Sequence, residues 1–307
     1  MKPAFSMLST CALVLAQVFF PPAQSSEKSN LLAAKSTARL ISIAPSNTEL
    51  VYSLHAEKQL LGVSDVCDFP PDARSKTRVG NLSSLKMEKI AGLKPDLVLL
   101  VSGQESLAHN LKKHGFNTLL LDNSSIYNIG RNLQEIARSC KKESEAKQLS
   151  AAFESSIQEL KALTAQDKKK LKVFVCVWPQ PLMSAGKGSF INEGVTIAGG
   201  VNCTGDMPQA YPRVNQEKLI LLQPDFVLVP QEQSKEKFWT RSPWNSLKAV
   251  REDRVLVLPQ HETDCLTRPT LRFIDALYWL AIKLHPTMKK PIDDWHAKAQ
   301  KNLALIH

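Results

Sequence analysis

An α/β fold of two similar Rossmann-like lobes, joined by one long α-helix with a ligand cleft between the lobes, is predicted by three features of this 307-residue sequence. The first is an internal repeat: 87–101 reads MEKIAGLKPDLVLLV and 216–230 reads QEKLILLQPDFVLVP. Glu88 and Glu217, Lys89 and Lys218, Pro95 and Pro224, Asp96 and Asp225, and Val98 and Val227 all keep one offset. Each copy reads as a short amphipathic helix, a Pro-Asp break and an apolar strand. Proline removes a backbone donor and restricts the residue before it, so the helix stops there. The second feature is alternation of strand and helix patterns on both sides of the chain's centre, which points to parallel sheets covered on both faces. The third is 143–164, whose apolar residues Leu149, Phe153, Ile157, Leu160 and Leu163 recur at helical spacing. It predicts one helix about 33 Å long.

In order, 39–44 (RLISIA) is expected as a strand, followed by a helix capped by Ser46 or Asn47 and running to His55, with Glu49 complementing its dipole. A strand over 60–64, the repeat unit, a helix over 106–114 stopped by Gly115, and a strand over 118–121 complete the first lobe. Two helices follow, 126–139 and 143–164. The second lobe is expected as a strand over 173–178, a loop over 179–188 and a helix over 189–198. The second repeat copy comes next, then a helix over 244–250 and a strand over 254–258. A loop over 260–267 and a helix over 269–284, with proline in its first turn, close the series. The expected domains are 1–25, 26–141, 142–168 and 169–307: leader, first lobe, linking helix and second lobe.

The first 25 residues carry Lys2, the apolar run 11–20, Pro21-Pro22 and then small residues, the order of a secretory signal peptide. That run is shorter than the ~20 apolar residues a membrane-spanning helix needs. The mature chain is expected to be exported and periplasmic, with a net charge of +9 (10 − 1) once Lys2 is removed. Its lysines fall in small scattered groups without a recognition motif, so no nucleic-acid partner is expected. Five cysteines remain, Cys67, Cys140, Cys176, Cys203 and Cys265, and none makes a C-x-x-C pair. A Cys203–Cys265 bridge fits an oxidising compartment, and an odd number leaves at least one thiol free.

Catalytic motifs are weak. Gly186-Lys187-Gly188-Ser189 resembles a phosphate loop but lacks its glycine spacing, and no serine sits in a G-x-S-x-G elbow. His261-Glu262-Thr263-Asp264 lacks a second histidine at ligand spacing, so neither a metal nor a resident cofactor is expected. An exported metal-dependent enzyme working through His261 and Asp264 is the remaining enzymatic alternative. The loops beyond the expected strand ends carry Phe69, Trp178, Met183 and Tyr211, surfaces suited to stacking on a flat conjugated ligand.

The runs RLISIAPSNTEL, LLGVSDVCDFPP, MEKIAGLKPDLVLL, VWPQPLMSAGKGSFI, AGGVNC, AYPRVNQEKL and TRPTLRFIDALYWLAIKLHP, in this order over most of 38–286, resemble the periplasmic cobalamin-binding proteins of ABC importers. More broadly they are similar to the siderophore- and haem-binding relatives. The resemblance implies a monomeric carrier that holds a small molecule between its lobes and delivers it to a permease dimer in the inner membrane, catalysing nothing. Cobalamin is the expected ligand, with haem or a ferric siderophore as the alternative. The resemblance places Pro45, Val66, Leu82, Val101, Trp178, Met183, Tyr211, Glu262 and Thr263 around the ligand. Val66, Leu82 and Val101 are aliphatic where a cobalamin binder of the family carries aromatics. The family's second-lobe disulfide falls on Ala198 and Trp279 and is therefore missing. Glu88 and Glu217 take the positions of two glutamates that dock onto permease arginines, remote from the ligand.

Overall fold

The computed structural model describes residues 38–303; the expected signal peptide lies outside the described residues. The first sheet has the order β3-β2-β1-β6-β7 and is parallel throughout. Its strands are β1 (Leu40–Ser42), β2 (Leu60–Val63), β3 (Thr77–Arg78), β6 (Leu97–Val101) and β7 (Thr118–Leu121). Between them run α1 (Pro45–Ser53), a small hairpin of β4 (Gly80–Asn81) and β5 (Ser84–Leu85), α2 (Met87–Leu93) and α3 (Glu105–Lys113). Two helices, α4 (Asn128–Cys140) and α5 (Glu143–Thr164), lead to the second lobe. Its sheet is also parallel, with the order β11-β8-β12-β13. The strands are β8 (Lys172–Val175), β11 (Val201–Asn202), β12 (Phe226–Pro230) and β13 (Val255–Leu258). They are accompanied by a hairpin of β9 (Trp178–Pro179) and β10 (Leu182–Met183), α6 (Phe190–Ile197), α7 (Gln216–Leu222) and α8 (Lys248–Arg251). Helices α9 (Gln260–Thr267), α10 (Phe273–Leu284) and α11 (Lys289–Leu303) complete the described chain.

The repeat gives α2-β6 and α7-β12, and the structure shows what its Pro-Asp break does. Both helices end on a left-handed residue, Lys94 (φ 46°) and Gln223 (φ 42°). The repeated aspartate then latches the neighbouring strand. Asp96 Oδ2 accepts the backbone N–H of Arg39 at 3.0 Å, and Asp225 Oδ2 accepts that of Lys172 at 2.8 Å. The basic side chains of those two residues reach back to the helix C-terminal carbonyls: Arg39 to Leu93 and Lys94, Lys172 to Leu222. A cation there complements the negative end of the helix dipole. One device therefore fixes β6 against β1 and β12 against β8.

Strand periodicity divides the core into layers. Leu40, Leu97 and Leu99 of the first sheet and Val173, Val175 and Leu228 of the second belong to one buried cluster, together with Phe153, Ile157 and Leu160 of α5. Their alternates face outward into separate clusters: Ile41, Val98 and Leu100 on one lobe, Phe174, Val227 and Val229 on the other. Double burial of each strand is why the sequence shows unbroken apolar runs there. Helix α5 matches the helix expected over 143–164 and ends short of the expected linking segment's limit at 168. It is also a packed element, because α11 covers it and Trp295 Nε1 donates to Ser156 O at 2.8 Å. Helix α11 was not anticipated from the sequence.

Several local expectations change, among them the helix over 244–250, which is a 3-10 turn at Trp244–Ser246 followed by α8. Pro45, not Ser46 or Asn47, opens α1: proline's fixed φ and missing N–H suit the first helical position, and Asn47 instead donates to Leu100 O. The expected loop over 260–267 is helix α9, started after Pro259. Helix α10 begins at Phe273 rather than Pro269, because Thr270 and Arg272 in the intervening turn are held by a carboxylate.

That carboxylate is Glu49, expected to complement a helix dipole and found instead 4% exposed between the lobes. Arg272 binds it through two hydrogen bonds, Nη2–Oε1 at 2.8 Å and Nε–Oε2 at 3.0 Å. Thr270 Oγ1 adds a third at 3.0 Å, and Arg268 Nη1 a fourth at 3.2 Å. The Arg272 guanidinium also lies 3.5 Å from the Phe69 ring centroid. Replacing Arg272 with Met removes two of the four hydrogen bonds and one of the two countercharges of a buried carboxylate, and the expected cost is about 3 kcal/mol of unfolding free energy. Urea denaturation of wild type and variant checks this; coincident curves would refute the clamp.

Candidate functional site

The sequence-predicted ligand residues gather at the carboxyl ends of the parallel strands, where open α/β sheets bind ligands. In the first lobe Pro45 follows β1, Val66 follows β2, Leu82 sits on the β4–β5 hairpin after β3, and Val101 ends β6. Hydrogen bonds tie these loops together. Asp65 N donates to Gly80 O at 2.8 Å, joining the Val66 loop to the Leu82 hairpin. Arg78 Nη1 donates to the carbonyls of Ser64 and Cys67, on either side of Val66. Gly80 has φ +95°, and a Cβ there would lie 2.2 Å from Ser84 O, so only glycine turns this hairpin. Asn123 connects the other pair: its backbone N–H donates to Ser102 Oγ beside Val101, and its Nδ2 donates to Ser46 Oγ beside Pro45. Val66 and Leu82 are more than half exposed, an apolar surface held by a rigid polar frame.

In the second lobe, Trp178 and Met183 are direct cross-strand partners, and Met183 bridges Arg213 on its other side. The segment after Tyr211 is thus held beside the hairpin by an isolated bridge, with Ser184 N donating to Pro212 O and Val214 N to Leu182 O. Gly186 permits the close approach, since a Cβ would lie 2.2 Å from Gln209 O. Trp178 is 48% exposed and Tyr211 39% exposed. Glu262 is partly exposed in the first turn of α9. Thr263 is buried, and its hydroxyl is engaged: it accepts Gln231 N and donates to Leu258 O, locking two strand ends to α9. Its side chain is therefore a positioning element rather than ligand-facing surface.

Glu88 and Glu217 are exposed in the first turns of α2 and α7. The two starts differ, because Asn215 caps α7 through Lys218 N while Lys86 provides no side-chain cap for α2. Glu217 and Trp178 also line one groove of about 860 Å³, with Gln180, Lys235, Phe238 and Trp244 among its walls. All its lining residues belong to the second lobe. Glu217, expected to stand remote from the ligand residues, shares this groove with Trp178.

The enzymatic alternative loses its constellation. Asp264 pairs with Arg268 at 3.3 Å, whereas His261 faces Asp275. All five described cysteines are free thiols, so the Cys203–Cys265 bridge is not formed. Burial pushes the Cys140 and Cys176 thiols up to about 12, far from a nucleophile's range.

A two-lobed α/β scaffold with apolar loops at its strand ends, tied by buried cross-lobe polar contacts, defines the class of bilobal solute-binding proteins. The chain belongs to the Periplasmic binding protein family, whose model matches residues 40–262. That family comprises solute-binding proteins rather than enzymes. The chain is similar to the vitamin B12-binding protein of Vibrio cholerae serotype O1, 27% identical over 241 residues that cover 78% of this chain and 86% of the relative. It is also similar to an ABC transporter substrate-binding lipoprotein of Bacillus subtilis, 26% identical over 278 residues, covering 88% and 87% of the two chains. The crystal structure of the periplasmic vitamin B12 binding protein of Vibrio cholerae superposes with a TM-score of 0.69 at 26% identity, covering 82% of this chain and 98% of that one. Among the described residues no helix is long and apolar enough to cross a membrane.

Asp68, beside the Val66 loop, meets Arg268 of the opposite lobe at 2.7 Å. Partial burial pushes its carboxyl up, but the Arg268 hydrogen bond and charge outweigh this and hold it below the ordinary 3.8. A lowered folded-state value stabilises the fold above pH 3.8 and is lost as pH falls through the lowered value. Because the carboxylate is half exposed, Asp68→Asn is expected to cost less than about 1 kcal/mol at pH 7. That cost should vanish in acid, as denaturant midpoints measured across pH will show; a pH-independent difference would exclude the ion pair as its source.

Proposed function

We propose that this chain is an exported carrier that captures cobalamin or a related corrinoid between its lobes and hands it to an ABC importer permease. One observation carries the reading: likeness to vitamin B12-binding proteins runs through both lobes, covering 78% of the chain by sequence and 82% by structure. The physical surface supports it. A corrin ring is broad and flat, and the exposed aromatic side chains Trp178 and Tyr211 of the second lobe, with the exposed aliphatic Val66 and Leu82 and the strand-end Val101 of the first, suit stacking on such a ring. Met183, paired with Trp178, the partly exposed Glu262 and Pro45 are assigned to the same ligand surface. The carrier works as a monomer in the periplasm, holds no resident cofactor and turns nothing over, with 26–141 and 169–307 as the lobes that receive the cargo.

Equilibrium titration of the purified chain with cyanocobalamin, haemin and a ferric catecholate tests this. The expected result is saturable binding of cyanocobalamin, weakened by about 0.5–1.5 kcal/mol in each of Trp178→Ala and Tyr211→Ala. Absence of saturable cyanocobalamin binding overturns the corrinoid assignment, and saturation by haemin alone transfers it to haem.

Delivery is assigned to Glu88 and Glu217, which project from equivalent first turns of the repeated helix, one on each lobe. Either glutamate alone is explained by dipole complementarity worth about 0.3–1 kcal/mol. Two at one point of the repeat match a two-fold permease. Reversing both, Glu88→Lys with Glu217→Lys, should abolish association with the detergent-solubilised cognate permease while cyanocobalamin affinity stays within about twofold. Retained association at physiological ionic strength would eliminate the docking role.

A further inference from the structure

We propose that His261, Cys265 and Asp275 form a binding site for a zinc-class transition-metal dication that ties α9 to α10. His261 and Cys265 stand four residues apart on α9, so both side chains leave one face of the helix. That face meets Asp275 in the first turn of α10. The three donor atoms all lie within 4.8 Å of one another. His261 Nε2 is 3.6 Å from Cys265 Sγ and 3.4 Å from Asp275 Oδ2. In a tetrahedral site, Zn–N, Zn–S and Zn–O bonds of about 2.0–2.3 Å put nitrogen about 3.6 Å from sulfur and about 3.4 Å from oxygen. Two of the three edges have those lengths.

The surroundings are those of a ligand set rather than a chance cluster. Asp275 is 5% exposed, and its other oxygen is taken: Oδ1 accepts from His296 Nε2 at 2.7 Å and from Gln300 Nε2 at 3.2 Å. These partners orient the carboxylate and leave Oδ2 for the ion, as outer-shell partners do in metal sites. Among the described residues, the basic groups in ion-pair range of Asp275 are both imidazoles, His261 and His296, which carry charge only when protonated. A dication supplies a permanent countercharge. On binding, the Cys265 S–H bond breaks and its proton goes to solvent. One thiolate, one carboxylate, a neutral imidazole and a dication then sum to zero, the balance a mostly buried site requires. His261 is nearly half exposed, which gives the ion access from solvent and leaves a fourth position for water. Mixed nitrogen, sulfur and oxygen donors favour zinc-class ions over calcium or magnesium.

The three donors are not among the residues assigned to the ligand, although His261 and Cys265 share α9 with Glu262. Helix α9 runs directly into Arg268, which bridges to Glu49 and Asp68 of the first lobe. An ion linking α9 to α10 holds the base of that bridge.

The test uses the full mature chain without added affinity histidines, stripped with a chelator and titrated with Co²⁺ and then Zn²⁺. The expected result is one equivalent of Co²⁺ with a thiolate-to-cobalt charge-transfer band, displaced by Zn²⁺, and a Zn²⁺-dependent rise in Tm. Cys265→Ser should abolish the band, and His261→Ala should weaken Zn²⁺ at least tenfold. The second variant changes an exposed side chain, so it stays informative even if Cys265→Ser folds poorly. Cys203→Ser should leave both readouts unchanged. No stoichiometric binding, or binding equally strong in His261→Ala and Cys265→Ser, overturns the site and leaves an adventitious ion only.

Discussion

A carboxylate taken out of water must find its countercharge inside the protein, and Glu49 finds it more than 200 residues away. Its two oxygens accept hydrogen bonds from Arg268, Thr270 and Arg272, which leave little freedom in the turn between α9 and α10. The desolvation cost of such a group is several kcal/mol, so the arrangement is tolerable only with every partner in place. The relation between α1 of the first lobe and the C-terminal helices is therefore specified by chemistry rather than by linker length. A second cross-lobe carboxylate, Glu193, accepts Ser125 Oγ and the backbone N–H of Ile126. Together these contacts frame the strand-end loops on which the proposed ligand surface stands.

Much of this architecture was legible in the residues because it is periodic. Parallel strands buried on both faces leave unbroken apolar runs, and α5 leaves a spacing that fixed both its ends. The repeat was equally visible, although the work of Asp96 and Asp225 was not: a latch onto Arg39 and Lys172 is a long-range contact with no local signature. Glu49 was misread for the same reason. In the sequence it is an acidic residue near a helix start, and only the fold brings two arginines to it. Helix α9 was hidden because eight mostly polar residues after Pro259 read as a loop, and its stability comes from Cys265 and Leu266 packing inward.

The site was legible as positions and not as roles. Pro45, Val66, Leu82, Val101, Trp178, Met183 and Tyr211 do fall at strand ends, as the order of the motifs implies. Thr263 falls among them in sequence but turns its hydroxyl into the protein. Glu217 and Trp178 looked like members of separate surfaces and share a groove. Cys265 gave no hint in the sequence of its approach to His261 and Asp275, because the third donor lies on the following helix.

The buried layer common to both sheets has a consequence for how the molecule comes apart. Leu40 and Leu99 on one side, and Val175 and Leu228 on the other, belong to the same cluster as Phe153 and Ile157 of the long helix. A half-chain cut at that helix would keep its outer layer and present the inner face of a parallel sheet to water. Neither half is a self-sufficient folding unit on those terms, despite the internal duplication that makes them look like two. Cooperativity is built into the middle of the molecule, so the lobes are expected to melt as one body and to resist being expressed as separate fragments.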